Sequence, residues 1–241
     1  MKLTIGVMGS SGGALPEPVR AKAYQIGEAI AERGAILITG GCPGLPYEAV
    51  RGAKAKGGLV VGISPGLSID EHQAKYGSPV EGFDVLIYTG SGLMGREITN
   101  IRSCDMVVIA GSRTGTLGEL AIAYDEGRLI GVLTGTGGIT ELVQTIIQAS
   151  GKETGACVLY DDDPKRLIDR LVEYYGRPST TSPRWGSPPS SSCPCTTTWT
   201  STPSCSAASA TTGATTRSPT SRRTSASPPR TAAWPPSASS R

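Results

Sequence analysis

DMVVIAGSRTGTLGEL, Asp105–Leu120, joins five consecutive apolar residues (Met106–Ala110) to a glycine-rich turn and then to Thr116–Glu126, whose spacing is helical. An unbroken apolar run, rather than an alternating one, is the mark of a strand buried on both faces of a parallel sheet. The same unit recurs outward in both directions. Upstream, KLTIGVMG (2–9), AILITGG (35–41), GLVVGISP (58–65) and DVLIYTG (84–90) read as strands. Helices are predicted over Glu17–Arg33, Gly44–Lys56 and Gly92–Ser103. In the first of these, Val19, Ala23, Ile26, Ala29 and Ile30 recur at helical spacing and Gly34 ends the run. Downstream, RLIGVL (128–133) and ACVLY (156–160) are strands, while ITELVQTIIQAS (139–150) and Pro164–Tyr175 are helices. Residues 66–82 read as loop and carry the single histidine, His72, for which no nearby partner is evident. Aliphatic strands alternating with amphipathic helices give a Rossmann-like, doubly wound α/β domain with a parallel sheet, and no other repeat is visible.

The alternation stops abruptly. From Gly176 to Arg241 the chain uses only Gly, Arg, Pro, Ser, Thr, Trp, Cys and Ala. A segment with no Leu, Ile, Val or Phe cannot bury enough apolar surface to offset the entropy of ordering it, so a disordered tail is expected over 177–241. Every residue type in that set has a codon with G or C at its second base. Translation of a GC-rich gene one register off would give this composition, so a frameshift near Gly176–Pro178 is one reading. A natural Ser/Thr/Pro-rich tail is the other. The folded domain is expected to be 1–176.

The tail also distorts the charge. Seven of the 23 basic residues and none of the 20 acidic ones fall in it, leaving 16 against 20, a net of −4, over residues 1–176. A specific nucleic-acid surface wants a basic face, so nucleic acid is not an expected partner. Cys42, Cys104 and Cys157 are far apart and form no C-x-x-C pair, which suits reduced thiols and no metal site. The start of the chain is too short and wrongly flanked for a signal peptide, and no apolar run reaches 18 residues. A cytoplasmic location away from membranes is expected.

In an open parallel sheet, ligands bind beyond the carboxyl ends of the strands, where strand order reverses. Three glycine-rich loops fall at strand ends: Gly9–Gly13, Gly40–Gly44 and Gly111–Gly115. Glycine lets backbone approach a ligand closely, and a helix starting there directs unpaired N–H groups at an anion. Neither G-x-G-x-x-G nor a Walker lysine is present. Any one loop could be a tight turn, but three at one edge point to a phosphate-bearing ligand. Gly9, Ser10, Ser11, Gly12, Gly40, Gly41, Arg113, Thr114, Gly115 and Thr116 are the candidate contacts. Arg96 can pair bidentately with phosphate, or sit solvated. Glu119 can bind ribose hydroxyls or stabilise an oxocarbenium-like centre, or simply complete a capping box with Thr116. Tyr88 and Tyr124 read as packing residues.

MGREITNIRSCDMVVIAGSRTGTLGEL (94–120), together with ITGGCPGL and AVRGAKAKGGLVVGISP upstream, resembles the LONELY GUY (LOG) family, once described as lysine decarboxylases, over about residues 1–160. The resemblance implies that Arg96 matches the family's catalytic arginine and Glu119 its motif glutamate. Gly115 and Thr116 then match the phosphate-cradling Gly-Thr. Glu97 stands where the family has lysine, and Gly111-Ser112-Arg113 where it has Pro-Gly-Gly. These departures bring the chain closer to the branch of molybdenum-cofactor carriers and relatives of DNA-processing protein A. The resemblance therefore implies a homo-oligomer, dimer or tetramer, that binds a nucleotide or the molybdenum cofactor and requires no other cofactor. The alternative is a phosphoribohydrolase that cleaves the N-glycosidic bond of nucleoside 5′-monophosphates, with Arg96 and Glu119 catalytic.

Overall fold

The alternation appears as β1 (Thr4–Gly9), α1 (Glu17–Glu32), β2 (Ile36–Thr39), α2 (Leu45–Ala55) and β3 (Leu59–Ser64), then α3 (Ile69–Ala74), β4 (Val85–Tyr88) and α4 (Gly92–Arg102). β5 (Met106–Ala110), α5 (Thr114–Asp125), β6 (Leu129–Leu133), α6 (Val143–Ser150), β7 (Cys157–Asp161) and α7 (Pro164–Gly176) complete it. The structure, a computed structural model, describes residues 1–111 and 113–176, so the tail expected over 177–241 lies outside the described residues. All seven strands are parallel, in the order β4-β3-β2-β1-β5-β6-β7.

Period-two alternation sorts each central strand onto two cores. Ile5 and Val7 of β1, with Met106, Val108 and Ala110 of β5, face a cluster built with α1, α2 and α7. Met8 of β1, with Val107 and Ile109 of β5, faces a second cluster that includes Ile101 of α4, Leu120 and Ala123 of α5, and Val143 of α6. Burial on both faces is why these strands are continuously apolar. β1 and β5 are paired neighbours, with Val7 opposite Val108. The chain leaving β1 turns to one face and the chain leaving β5 to the other. The strand order reverses here, and a crevice opens at the carboxyl ends.

Two segments depart from the sequence expectation. The single helix expected over 139–150 is broken. Gly137 and Gly138 turn with φ of 76° and 67°, a 3-10 turn follows over Gly138–Glu141, and α6 begins only at Val143. The loop expected over 66–82 contains α3, capped by Ser68, whose Oγ accepts from the Glu71 amide. His72 is fully buried and, contrary to expectation, has partners. Its Nε2 donates to the Pro79 carbonyl at 2.9 Å, leaving Nδ1 to accept from the Ser64 hydroxyl at 2.8 Å. It is a strut holding the 65–82 segment against the end of β3.

α1 and α2 cross at a pair of glycines. A Cβ on Gly27 would lie 1.9 Å from the Ala49 carbonyl oxygen, and one on Gly52 1.9 Å from that of Tyr24. Each helix therefore seats its backbone against the other. In an open helix, Gly→Ala stabilises by up to about 1 kcal/mol. Here the added methyl must push two helices apart, so Gly27→Ala and Gly52→Ala are each expected to lower stability by about 1–3 kcal/mol in denaturant unfolding. A gain in either variant would contradict this packing.

Candidate functional site

Three loop ends and two helices converge on the crevice. Glycine at position 44 brings the second loop against the first: a Cβ there would be 2.1 Å from the Ser10 carbonyl oxygen, and the next amide, Leu45, donates to that same oxygen at 2.9 Å. The turn after β5 is fixed from the β6 side. Gly111 takes φ of 61° and donates its N–H to Thr136 Oγ1 at 2.8 Å, while that hydroxyl donates to the Leu133 carbonyl. α5 then starts at Thr114, with Arg113 in the N-cap position and no side-chain cap. Its first amides have no intrahelical partner and open onto the crevice.

Because α5 starts two residues before Thr116, the capping-box alternative for Thr116 and Glu119 does not form. Both side chains instead turn inward, Thr116 to 3% and Glu119 to 7% exposure. α4 lies alongside and buries Arg96, Glu97 and Asn100. The Arg96 guanidinium rests on Gly40, where a Cβ would fall 1.6 Å from Nη1, so only glycine admits it. Nη1 stands 4.0 Å from Glu119 Oε1, at the limit of an ion pair and beyond a hydrogen bond. Arg96 Nε and Nη1, Glu97 Oε2 and Asn100 Oδ1 are all buried without a hydrogen-bond partner. Unpaired buried polar groups are rare in folded proteins and are informative where they cluster.

Arg96 and Glu97 border a cavity of about 280 Å³. Of the residues expected from sequence, Gly9, Ser10, Ser11, Gly40, Arg96, Arg113, Thr114, Gly115, Thr116 and Glu119 line it. Gly12 lines a neighbouring cavity of about 530 Å³ that shares Ser10 and Arg113. Gly41 lines neither and backs onto the His72 ring. The sequence reading missed Cys42, Leu93, Met94 and Glu97 as lining residues, and Thr136 as the peg behind the turn. Cys42 and Arg96 share the floor. Burial pushes the Cys42 thiol up to about 11, against the pull of Arg96. Among the described residues, no cluster of His, Cys, Asp and Glu could hold a metal ion, and no helix is long and apolar enough to cross a membrane.

Burial also raises both carboxyls. Glu97 is pushed above its ordinary value by desolvation, with Arg96 opposing. Glu119 is pushed up to about 7, again chiefly by burial, with Arg96 pulling it down and Glu97 pushing it further up. The folded state therefore holds the Glu119 proton more tightly than the unfolded chain, whose value is near 4.5. This contribution to stability is fully present below about pH 4.5 and is lost as pH rises through 7. Glu119→Gln removes the titration. Its unfolding free energy relative to the parent should improve between pH 5 and pH 8, by an amount on the order of 3 kcal/mol. Parallel pH profiles for the two proteins would contradict the burial of an ionisable Glu119.

The model of the SLOG cluster4 family matches residues 2–168. An uncharacterized protein of Archaeoglobus fulgidus is 38% identical over 134 residues, which cover 55% of this chain and 82% of that protein. Among solved structures, the molybdenum cofactor binding protein from the phototrophic bacterium Rippkaea orientalis superposes with a TM-score of 0.60 at 30% identity, over 72% of this chain and 98% of its own. The molybdenum cofactor carrier protein from Chlamydomonas reinhardtii superposes equally, with a TM-score of 0.60 at 26% identity, over 73% of this chain and 100% of its own. A seven-stranded parallel sheet, a crevice between β1 and β5, and a family match across nearly the whole described domain agree: the chain belongs to the SLOG cluster4 family.

Proposed function

We propose that this protein binds a small phosphate-bearing nucleotide or pterin, in the manner of a carrier, in the cavity between α4 and α5. The observation that carries the reading is the Arg96 guanidinium, 95% buried at the cavity wall with Nε and Nη1 unpaired. A buried cation without a hydrogen-bonded partner is strongly unfavourable, and an acceptor-bearing ligand is what relieves it. The open amides of α5, with Ser10, Ser11 and Arg113, supply the phosphate end. The structural neighbours that bind or carry the molybdenum cofactor support a pterin as one member of the ligand class. The donor set here fits a phosphorylated pterin: amides and an arginine for the phosphate, buried polar groups for the ring. That cofactor, if bound, is cargo rather than a reagent of the protein.

A second reading, hydrolysis of nucleoside 5′-monophosphates, has one observation in its favour. Glu119 keeps a proton up to about pH 7 beside Arg96, as a general acid would. The binding reading has priority because the structural neighbours at 30% and 26% identity bind or carry a cofactor.

Two measurements separate these readings. Replacing Arg96 by methionine roughly keeps the volume and removes a buried charge whose ion-pair contact with Glu119 is at the 4.0 Å limit and whose Nε and Nη1 lack hydrogen-bond partners. Arg96→Met should therefore unfold no earlier than the parent, while its affinity for the ligands in a calorimetric or thermal-shift panel falls about tenfold or more. Unchanged affinity would dismiss Arg96 as a ligand contact. Full-length protein incubated with AMP is expected to leave it intact. Adenine release that disappears in Glu119→Gln would replace the carrier reading with the hydrolase.

A further inference from the structure

The unpaired atoms of the cavity do not all ask for the same thing. Arg96 Nε and Nη1 are donors without acceptors, and Glu97 Oε2 is an acceptor without a donor. Both residues line the cavity and both are only 5% exposed. An ionised phosphate offers acceptors alone. It can pair with Arg96, but it would leave the Glu97 carboxylate unsatisfied and repelled. A complementary occupant presents adjacent acceptors and donors on one rigid edge.

The walls around Glu97 suit a flat group. On one side the carboxylate is set against the glycine edge of α5: a Cβ on Gly118 would be 2.8 Å from Oε2, and one on Gly115 3.7 Å from Oε1. Leu93 and Met94 line the same cavity and are otherwise exposed, Met94 to 68%. Exposed apolar side chains, one of them a thioether, suit the face of an aromatic ring.

Resting on the reading of this cavity as a nucleotide or pterin site, we propose that Arg96 and Glu97 together read the amino-oxo edge of a fused 2-amino-4-oxopyrimidine ring, the edge common to guanine and pterins. Around that ring a nitrogen and a carbonyl oxygen come first, both acceptors for a guanidinium. A ring N–H and an exocyclic NH2 follow, both donors to a carboxylate. Arginine paired to such a nitrogen–oxygen pair and a carboxylate accepting from an exocyclic amine are recurrent modes of base recognition. The corresponding edge of adenine alternates acceptor, donor, acceptor. It sets an amine against Arg96 and a lone pair against Glu97. Glu97 is thus a specificity residue, and its replacement of the lysine found in LOG-like sequences changes which ring the cavity accepts.

The test uses the full chain and four probes: GMP, IMP, AMP and neopterin, titrated calorimetrically. GMP is expected to bind about tenfold or more tightly than AMP, with IMP, which lacks the exocyclic amine, in between. Neopterin tighter than GMP, despite lacking the phosphate, would identify the pterin as the preferred source of the edge, whereas GMP tighter than neopterin reflects its phosphate as well as its ring; either order supports the proposal. Glu97→Gln, nearly identical in shape, is expected to bring the GMP and AMP affinities within about threefold of each other without lowering the unfolding temperature. AMP binding as tightly as GMP to the parent protein would overturn the proposal. So would a variant that weakens GMP and AMP equally, which would assign Glu97 to the sugar hydroxyls. Failure of all four probes to bind would overturn the reading of the cavity itself, and this proposal with it.

Discussion

The parallel pairing of β1 with β5 is the constraint on which the rest depends. Side by side, with Val7 opposite Val108, the two strands must send their following helices to opposite faces of the sheet. The crevice is therefore a product of topology. The residues around it only determine what fits. The loops after β1 and β5 are pinned by contacts made for packing, Leu45 N–H to the Ser10 carbonyl and Gly111 N–H to Thr136, so the groups facing the crevice are held without spending their own hydrogen bonds.

The site runs against the habits of a protein interior. Arg96, Glu97 and Glu119 are all nearly as buried as the aliphatic core, yet their closest charge contact is 4.0 Å. A structural salt bridge would have closed to hydrogen-bonding distance. Here the guanidinium is held off by its seat on Gly40, and both carboxyls respond to burial by retaining protons more strongly. The molecule tolerates the arrangement because two large apolar cores flank it.

Much of this was legible from the chain, for definite reasons. Strand and helix positions followed from aliphatic runs such as MVVIA and from helical spacing, because burial on both sheet faces leaves little else for those residues to do. The strand-end glycines were legible because close backbone approach demands them. α3 was hidden: six residues offer too short a period to detect, and it is held by His72, whose partners come from β3 and from Pro79. The late start of α6 follows Gly137 and Gly138, whose positive φ values lead the chain into a 3-10 turn over the first residues of an apolar pattern that otherwise reads as helix. α4 misled in the opposite sense. Its polar Arg96, Glu97 and Asn100 face inward and its apolar Leu93, Met94 and Ile98 outward, so the usual reading of polar as solvated fails at these six positions, while Ile101 and Arg102 follow it. Arg96 and Glu119 were found through motif resemblance. Glu97 was seen only as a departure from that motif, since a single carboxylate on a helix carries no signal of burial.

Gly40 has a consequence beyond its contact with Arg96. A side chain of any kind there would evict the guanidinium, and Gly9 and Gly44 are similarly closed, by the Ala110 and Ser10 carbonyl oxygens. These backbone positions cannot drift without dismantling the cleft. The side chains of α4 at 93, 94 and 97 meet the cavity from a helix whose Leu93, Met94 and Ile98 are exposed, and Arg113 does so from an exposed position. New ligand preferences would therefore be expected to arise among descendants of such a chain by substitution on one helix, over loops that stay fixed.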